Sequence, residues 1–196
     1  MRKSRIDPDM LREHENATRI LSEGWALFQQ KGFRGVSLDE LCQRCGVTKP
    51  TLYYYFGDKE TLFVEVLWYR LRGFHEVIDA PGPLSQRLQR VAQSVLDSFQ
   101  SEYTNLMHDR EHIRDADNLR RVREAFRDEL LGPMVALMRA GIDAGELAPA
   151  DPEFLALAYM GMINHFIARA AEMSTDHAAL ATRLAHLFLR GATVHE

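Results

Sequence analysis

Two cysteines in 196 residues are too few for a disulfide-stapled scaffold, and the one C-x-x-C pair, Cys42 and Cys45, has no second pair to complete a tetrahedral zinc site. Long apolar runs are missing too. The longest in the C-terminal half, Phe154 to Ala168, is interrupted by Asn164 and His165, short of the about 20 residues that a bilayer crossing requires. The opening Met-Arg-Lys-Ser-Arg leads into Ile6, Asp7, Pro8 and Asp9 rather than an apolar stretch, so no secretory leader is expected and a reducing cytoplasm is. No alternating β-branched run marks a sheet, and there is no internal repeat, low-complexity tract, glycine-rich phosphate loop or nucleophile elbow. Positive charge is not in excess. The 24 Lys+Arg against 28 Asp+Glu leave a net charge of −4, whereas nucleic-acid binders are usually basic. Division after Glu60 changes that picture: residues 1–60 hold 10 basic and 9 acidic groups, and residues 61–196 hold 14 and 19. Arg2, Lys3 and Arg5 form a basic arm, and the acidity belongs to the rest of the chain.

What is present is apolar residues, 46% of the chain, at helical spacing. The expected fold is all-α, with core enough for one large domain or two small ones. A first helix carries Ile20, Leu21, Ala26, Leu27 and Phe28 and stops at Lys31-Gly32. Ser37, with Glu40 three residues on, has the spacing of a capping box for a second helix that ends at Gly46. Thr48 caps a third, with Pro50 in its first turn. It ends at Gly57, and Asp58 caps a longer helix through Leu62, Val66 and Tyr69. Asp79-Ala80-Pro81-Gly82-Pro83 is the strongest breaker, after which Leu84, Leu88, Val91, Val95, Leu96 and Phe99 share a helical face. Beyond a polar stretch from Glu102 to Asp117, a long helix from Leu119 to Ala144 should kink at Gly132-Pro133, where proline removes a backbone bond. Asp151-Pro152 opens a helix, Phe154 to Ile163, that is apolar all the way round and so needs a partner subunit as well as its own core. The last helix sets Leu180, Leu184, Leu187 and Phe188 on one stripe, and the pair suggests a symmetric four-helix dimer contact.

Residues 37–56 fit a helix-turn-helix. Leu38, Leu41, Val47, Leu52 and Phe56 supply its inward face, while Lys49, Thr51, Tyr54 and Tyr55 point outward. Lysine and tyrosine suit phosphates, and threonine and tyrosine also suit base edges and thymine methyls. The motifs Leu27-Phe28, Lys31-Gly32-Phe33, Val36-Ser37, Leu41-Cys42, Cys45-Gly46-Val47, Thr51-Leu52-Tyr53, Tyr55-Phe56 and Lys59-Glu60 resemble the N-terminal domain of TetR-family transcriptional regulators over roughly residues 13–67.

That resemblance implies an all-helical homodimer of about nine helices that binds double-stranded operator DNA and a small effector, without a cofactor. It divides the chain into an arm (1–11), a DNA-binding domain (12–78) and a C-terminal effector-binding and dimerisation domain (79–196). Carried over position by position, Ser37 and Tyr53 contact phosphates, Lys49, Thr51 and Tyr54 face the major groove, and Tyr55 and Lys59 grip the backbone. Tyr55 stands where the family more often has histidine. Asp39 is a second departure, a carboxylate where a basic or polar side chain often approaches DNA; its own helix gains from it at the positive N-terminus. The three tyrosines read alternatively as a partly buried aromatic ladder.

Cys42 and Cys45 lie inside a helix and read as small core residues, with a redox pair as the alternative. The effector pocket is expected among Phe99, Tyr103, Met107, Phe126, Met134, Met138, Tyr159, Met162, His165 and Phe166, an adaptable, mostly apolar set suited to a hydrophobic effector. Asn164 and His165 interrupt an apolar helix and call for a polar partner, from protein or effector. The rival reading is a metal-binding sensor or small helical enzyme built on His108 and His112, four residues apart with Glu111 and Asp115 beside them.

Overall fold

A computed structural model describes residues 15–99, 110–172 and 176–192. Among these every regular element is helical. The helices are α1 (Glu15–Gly35), α2 (Leu38–Cys45), α3 (Lys49–Phe56), α4 (Lys59–Asp79), α5 (Leu84–Ser98), α6 (Ala116–Phe126), α7 (Gly132–Asp143), α8 (Pro152–Glu172) and α9 (His177–Ala192). A short 3₁₀ turn, Arg110–His112, precedes α6, and a π-helical segment, Arg127–Leu131, joins α6 to α7.

The chain forms two compact units. Described residues 15–70 and 110–123 make the first; 71–99, 124–172 and 176–192 make the second. The expected boundary at 78 falls in the last turn of α4, but the chain passes between units earlier in α4, after Arg70, and again within α6. The segment 110–123 belongs with the head because α4 holds it. The two carboxylate oxygens of Glu60 accept the amides of Arg114 and Asp115 at 3.2 and 3.1 Å. Asn118 donates to the Thr61 hydroxyl at 3.4 Å, and Arg121 pairs with the buried Glu65.

In the first unit, α1 buries Ile20, Leu21, Leu27 and Phe28, and the edge of Phe28 meets Phe63 of α4 at 5.0 Å. The break expected at Gly32 is present, with φ 66°. Ser37 caps α2, accepting the Asp39 amide at 3.2 Å. The carboxylate of Glu40 is occupied by Lys31 at 2.7 Å and Arg44 at 3.4 Å rather than by a capping box. Two cations, Arg44 one helical turn on and Lys31 from α1, win that carboxylate from a backbone amide.

In the second unit, the expected α5 face is buried throughout, and Tyr159 of α8 donates its hydroxyl proton to the Leu88 carbonyl at 2.8 Å. Burial pushes the Tyr159 phenol well above its ordinary range. The kink expected at Gly132-Pro133 is realised as the π-helical segment. Pro133 has no proton for the carbonyl four residues back, and the Gly132 amide reaches Arg127 O, five back. The dimer stripe divides differently from its expectation. Leu180, Leu184 and Phe188 are buried in the protomer's own core against α5 and α8, and Leu187 is 64% exposed. Phe154 and Leu157 of α8 are exposed as well, at 66% and 52%.

Candidate nucleic-acid interface

The turn between α2 and α3 begins with Gly46. Its left-handed backbone, φ 61° and ψ 31°, lets the Val47 amide reach Cys42 O at 3.0 Å and closes α2. Thr48 then caps α3, its hydroxyl accepting the Thr51 amide at 3.4 Å and lying 2.9 Å from the Thr51 hydroxyl. Pro50 occupies the first turn. Leu52 and Phe56 are buried, which fixes the rotation of α3 about its axis. By helical geometry the same anchoring turns positions 49, 53 and 54 outward. Tyr54 is 79% exposed and Tyr53 45%; Tyr55, half-buried, meets Tyr54 edge-on at 5.4 Å and leans on Phe56 at 6.0 Å. The tyrosines therefore divide between the two readings, with position 54 on the surface and position 55 supporting it.

The cations of this surface have partners within the protein. Lys49, the first residue of α3, holds Asp39 of α2 at 2.8 Å, and this hydrogen bond raises its pKa. Lys59 donates to Val36 O at 2.6 Å, lies 3.5 Å from Arg34 O, and stands 4.9 Å from the Phe33 ring centre. Expected to grip DNA, Lys59 here ties α4 to the chain that follows α1. Ser37 uses its oxygen as the α2 cap, a bond that leaves its own proton to donate. Asp58 caps α4 through the Thr61 amide at 2.7 Å.

Cys42 and Cys45 are both buried. Cys45 donates weakly to Arg19 O at 3.8 Å, and burial pushes its thiol up to about 11. Burial raises Cys42 as well. Such thiols are poor nucleophiles.

His112 lines a cleft of about 480 Å³ with Phe33, Arg34, Glu60, Glu111 and Arg114. His108 lies outside the described residues, and among those described no three His, Cys, Asp or Glu side chains converge as a metal site.

The residues expected to line an effector pocket fall into two groups. Phe99, Met134, Met138 and Tyr159 are buried, with Phe99 stacked on Phe74 at 5.9 Å, and Phe126 is half-buried. Met162 and Phe166 are half-buried on the outer side of α8. His165, expected to meet a partner in the core, at a dimer interface or in an effector, is exposed in the protomer and edge-on to Phe166 at 5.5 Å. Met162 belongs to a shallow apolar groove with Phe154, Ala158 and Leu187. Tyr103 and Met107 lie outside the described residues.

The Lys49–Asp39 pair is the feature that sequence reading missed. Its signal was present as a carboxylate two residues past the α2 cap and a lysine one residue past the α3 cap, the two helix starts that the turn brings together.

The family profile described as bacterial regulatory proteins, tetR family, matches residues 20–66, which run from α1 through the helix-turn-helix into α4. Over 169 residues the chain is 28% identical to the HTH-type transcriptional regulator RutR of Escherichia coli strain K12, an alignment covering 75% of this chain and 71% of that one. It is 27% identical over 139 residues to the HTH-type transcriptional repressor NicS of Pseudomonas putida, covering 65% of this chain and 61% of that protein. In fold it matches the transcriptional regulator FadR of Bacillus subtilis, solved in complex with stearoyl-CoA, with a TM-score of 0.69 at 17% identity, covering 91% of this chain and 99% of that one.

Proposed function

We propose that the chain is a regulator of the TetR family, a cytoplasmic repressor whose α2–α3 unit reads operator DNA and is released by a small, mostly apolar effector. The observation that carries this reading is the anchoring of α3. Leu52 and Phe56 bury one side, so Lys49, Tyr53 and Tyr54 stand on the other, where a recognition helix meets a major groove. Ser37 and Tyr53 then supply hydroxyl protons to phosphates, while Tyr54 and Thr51 meet base edges and thymine methyls.

Regulators of this family act as dimers on operator DNA. The exposed Phe154, Leu157 and Leu187 support a dimer face on the outer side of α8 and α9, since apolar side chains of this size on adjacent helices gain most by self-association. Two heads held about one DNA turn apart, ~34–36 Å, would meet successive major grooves. An effector that prefers a different head spacing would release the DNA by that difference in affinity. The apolar second unit, with Met134 and Met138 in its core, and the stearoyl-CoA bound by a protein of the same fold support an apolar effector class.

The test is selection of duplexes from a randomised pool with the purified full chain. One recurrent motif of paired half-sites is expected, and Tyr54→Ala should relax preference at one position of each. Equal recovery of all sequences would sink the reading. Displacement of the selected duplex by a panel of acyl-CoA thioesters of graded chain length would test the effector class.

A further inference from the structure

The ion pair between Lys49 and Asp39 lies on the surface proposed to meet DNA, and this inference rests on that proposal. The two groups are 2.8 Å apart, with side chains 47% and 74% exposed. Lys49 is the only cation in α3, whose sequence is Lys49-Pro50-Thr51-Leu52-Tyr53-Tyr54-Tyr55-Phe56. Three other cations of the helix-turn-helix region are likewise engaged. Lys31 is held by Glu40, Arg44 by Glu40 and Glu23, and Lys59 by backbone carbonyls. A charged phosphate contact from the recognition helix therefore begins with the exchange of one anion for another at Lys49.

We propose that Asp39 competes with DNA for Lys49 and so determines specificity by suppressing binding to sequences that α3 cannot read. The exposed pair is weak and opens easily. Once Lys49 has moved to a phosphate, however, the Asp39 carboxylate stands uncompensated against a polyanion. DNA held through its phosphates alone has to meet that penalty. At the operator, Tyr54 and Thr51 hold α3 in the groove while Lys49 and Asp39 stay paired, so the unfavourable element falls on the wrong sequences and widens the gap. The exchange also leaves the charge at this contact nearly unchanged. It should therefore release little of the DNA counterion atmosphere and add little to the salt dependence.

The experiment measures binding of the full chain to a mixed-sequence duplex and to the duplex enriched by selection, by fluorescence anisotropy between about 50 and 200 mM salt. Asp39→Asn keeps the backbone amide that Ser37 caps, and circular dichroism confirms its folding. It should tighten binding to the mixed-sequence duplex about fivefold and steepen the salt slope by about 0.9 per head. Binding to the selected duplex should tighten less, so the specificity ratio falls. In the Lys49→Gln background, Asp39→Asn should produce no gain. The proposal is overturned if Asp39→Asn binds the mixed-sequence duplex as wild type does, or if the gain persists without Lys49, which would mean that general repulsion is at work. It is overturned as well if Asp39→Asn changes the base preferred at one position, since Asp39 would then accept a proton from a cytosine amino group. Failure of the wild-type chain to bind any duplex would instead remove the DNA-binding reading on which the proposal rests.

Discussion

The ammonium of Lys59, 2.6 Å from Val36 O and over the Phe33 ring, satisfies a carbonyl at the start of the turn into α2. Lys59→Met should lower stability by about 1 kcal/mol, read as a fall in the urea midpoint, because a part-buried acceptor loses a charged donor. The sequence showed a lysine at a family position, but only the packed backbone shows which acceptor it serves. Cys45 makes the complementary case. It was legible as a small core residue, and the helix that carries it has buried it. Its pKa in the folded state, about 11, lies above the ordinary 9.0. Well below pH 9 the thiol is protonated in both states and folding loses nothing; as pH rises through 9 toward 11, the unfolded chain ionises first and stability falls. Urea titrations at pH 8 and pH 10.5 should show that loss in wild type and a smaller one in Cys45→Ala. Labelling of folded protein by a thiol reagent at neutral pH should be slow.

Helix starts and stops are legible in the sequence because caps are local chemistry. Thr48, Asp58, Asp151 and Gly46 all act where their residue types place them. Gly46→Ala forces a Cβ into a left-handed backbone and should cost about 1–2 kcal/mol of stability. Circular dichroism melts measure that cost, and a shift in the α2–α3 angle should weaken DNA binding beyond it. The hold of α4 on the segment before and within α6 was not legible, since Glu60, Thr61 and Glu65 lie more than fifty residues from their partners. Arg121→Met leaves the Glu65 carboxylate buried and unpaired, so it should destabilise by about 2 kcal/mol, and more than the double variant Glu65→Gln/Arg121→Met. Chemical denaturation of both variants checks the order. The π-helical segment stands between these cases: proline announced an interruption, and the widened turn that accommodates it depends on how α7 packs.

At the scale of the whole molecule, the proposed dimer face makes DNA binding depend on self-association. Leu187→Glu places a charge on the proposed face, in the groove it shares with Phe154, and should shift the protein toward its 22.5 kDa monomer. Light scattering after size exclusion reads that shift, and the loss of simultaneous half-site contact should weaken operator binding by about tenfold or more. Phe188→Glu, at a buried position, should impair folding instead, which separates the surface leucine from the core residues of the same stripe. The all-helical class, the helix boundaries, the helix-turn-helix and the split of charge between residues 1–60 and the rest of the chain were determined by the sequence itself. These follow from periodicity, capping and breaker residues, which act within a turn or two of chain. Tertiary structure alone decided which members of an apolar stripe face the core, where Lys49 and Lys59 direct their charge, and which unit residues 110–123 join. Those outcomes depend on the packing of side chains distant in sequence, and local pattern does not specify which of several equally apolar or equally charged partners will meet.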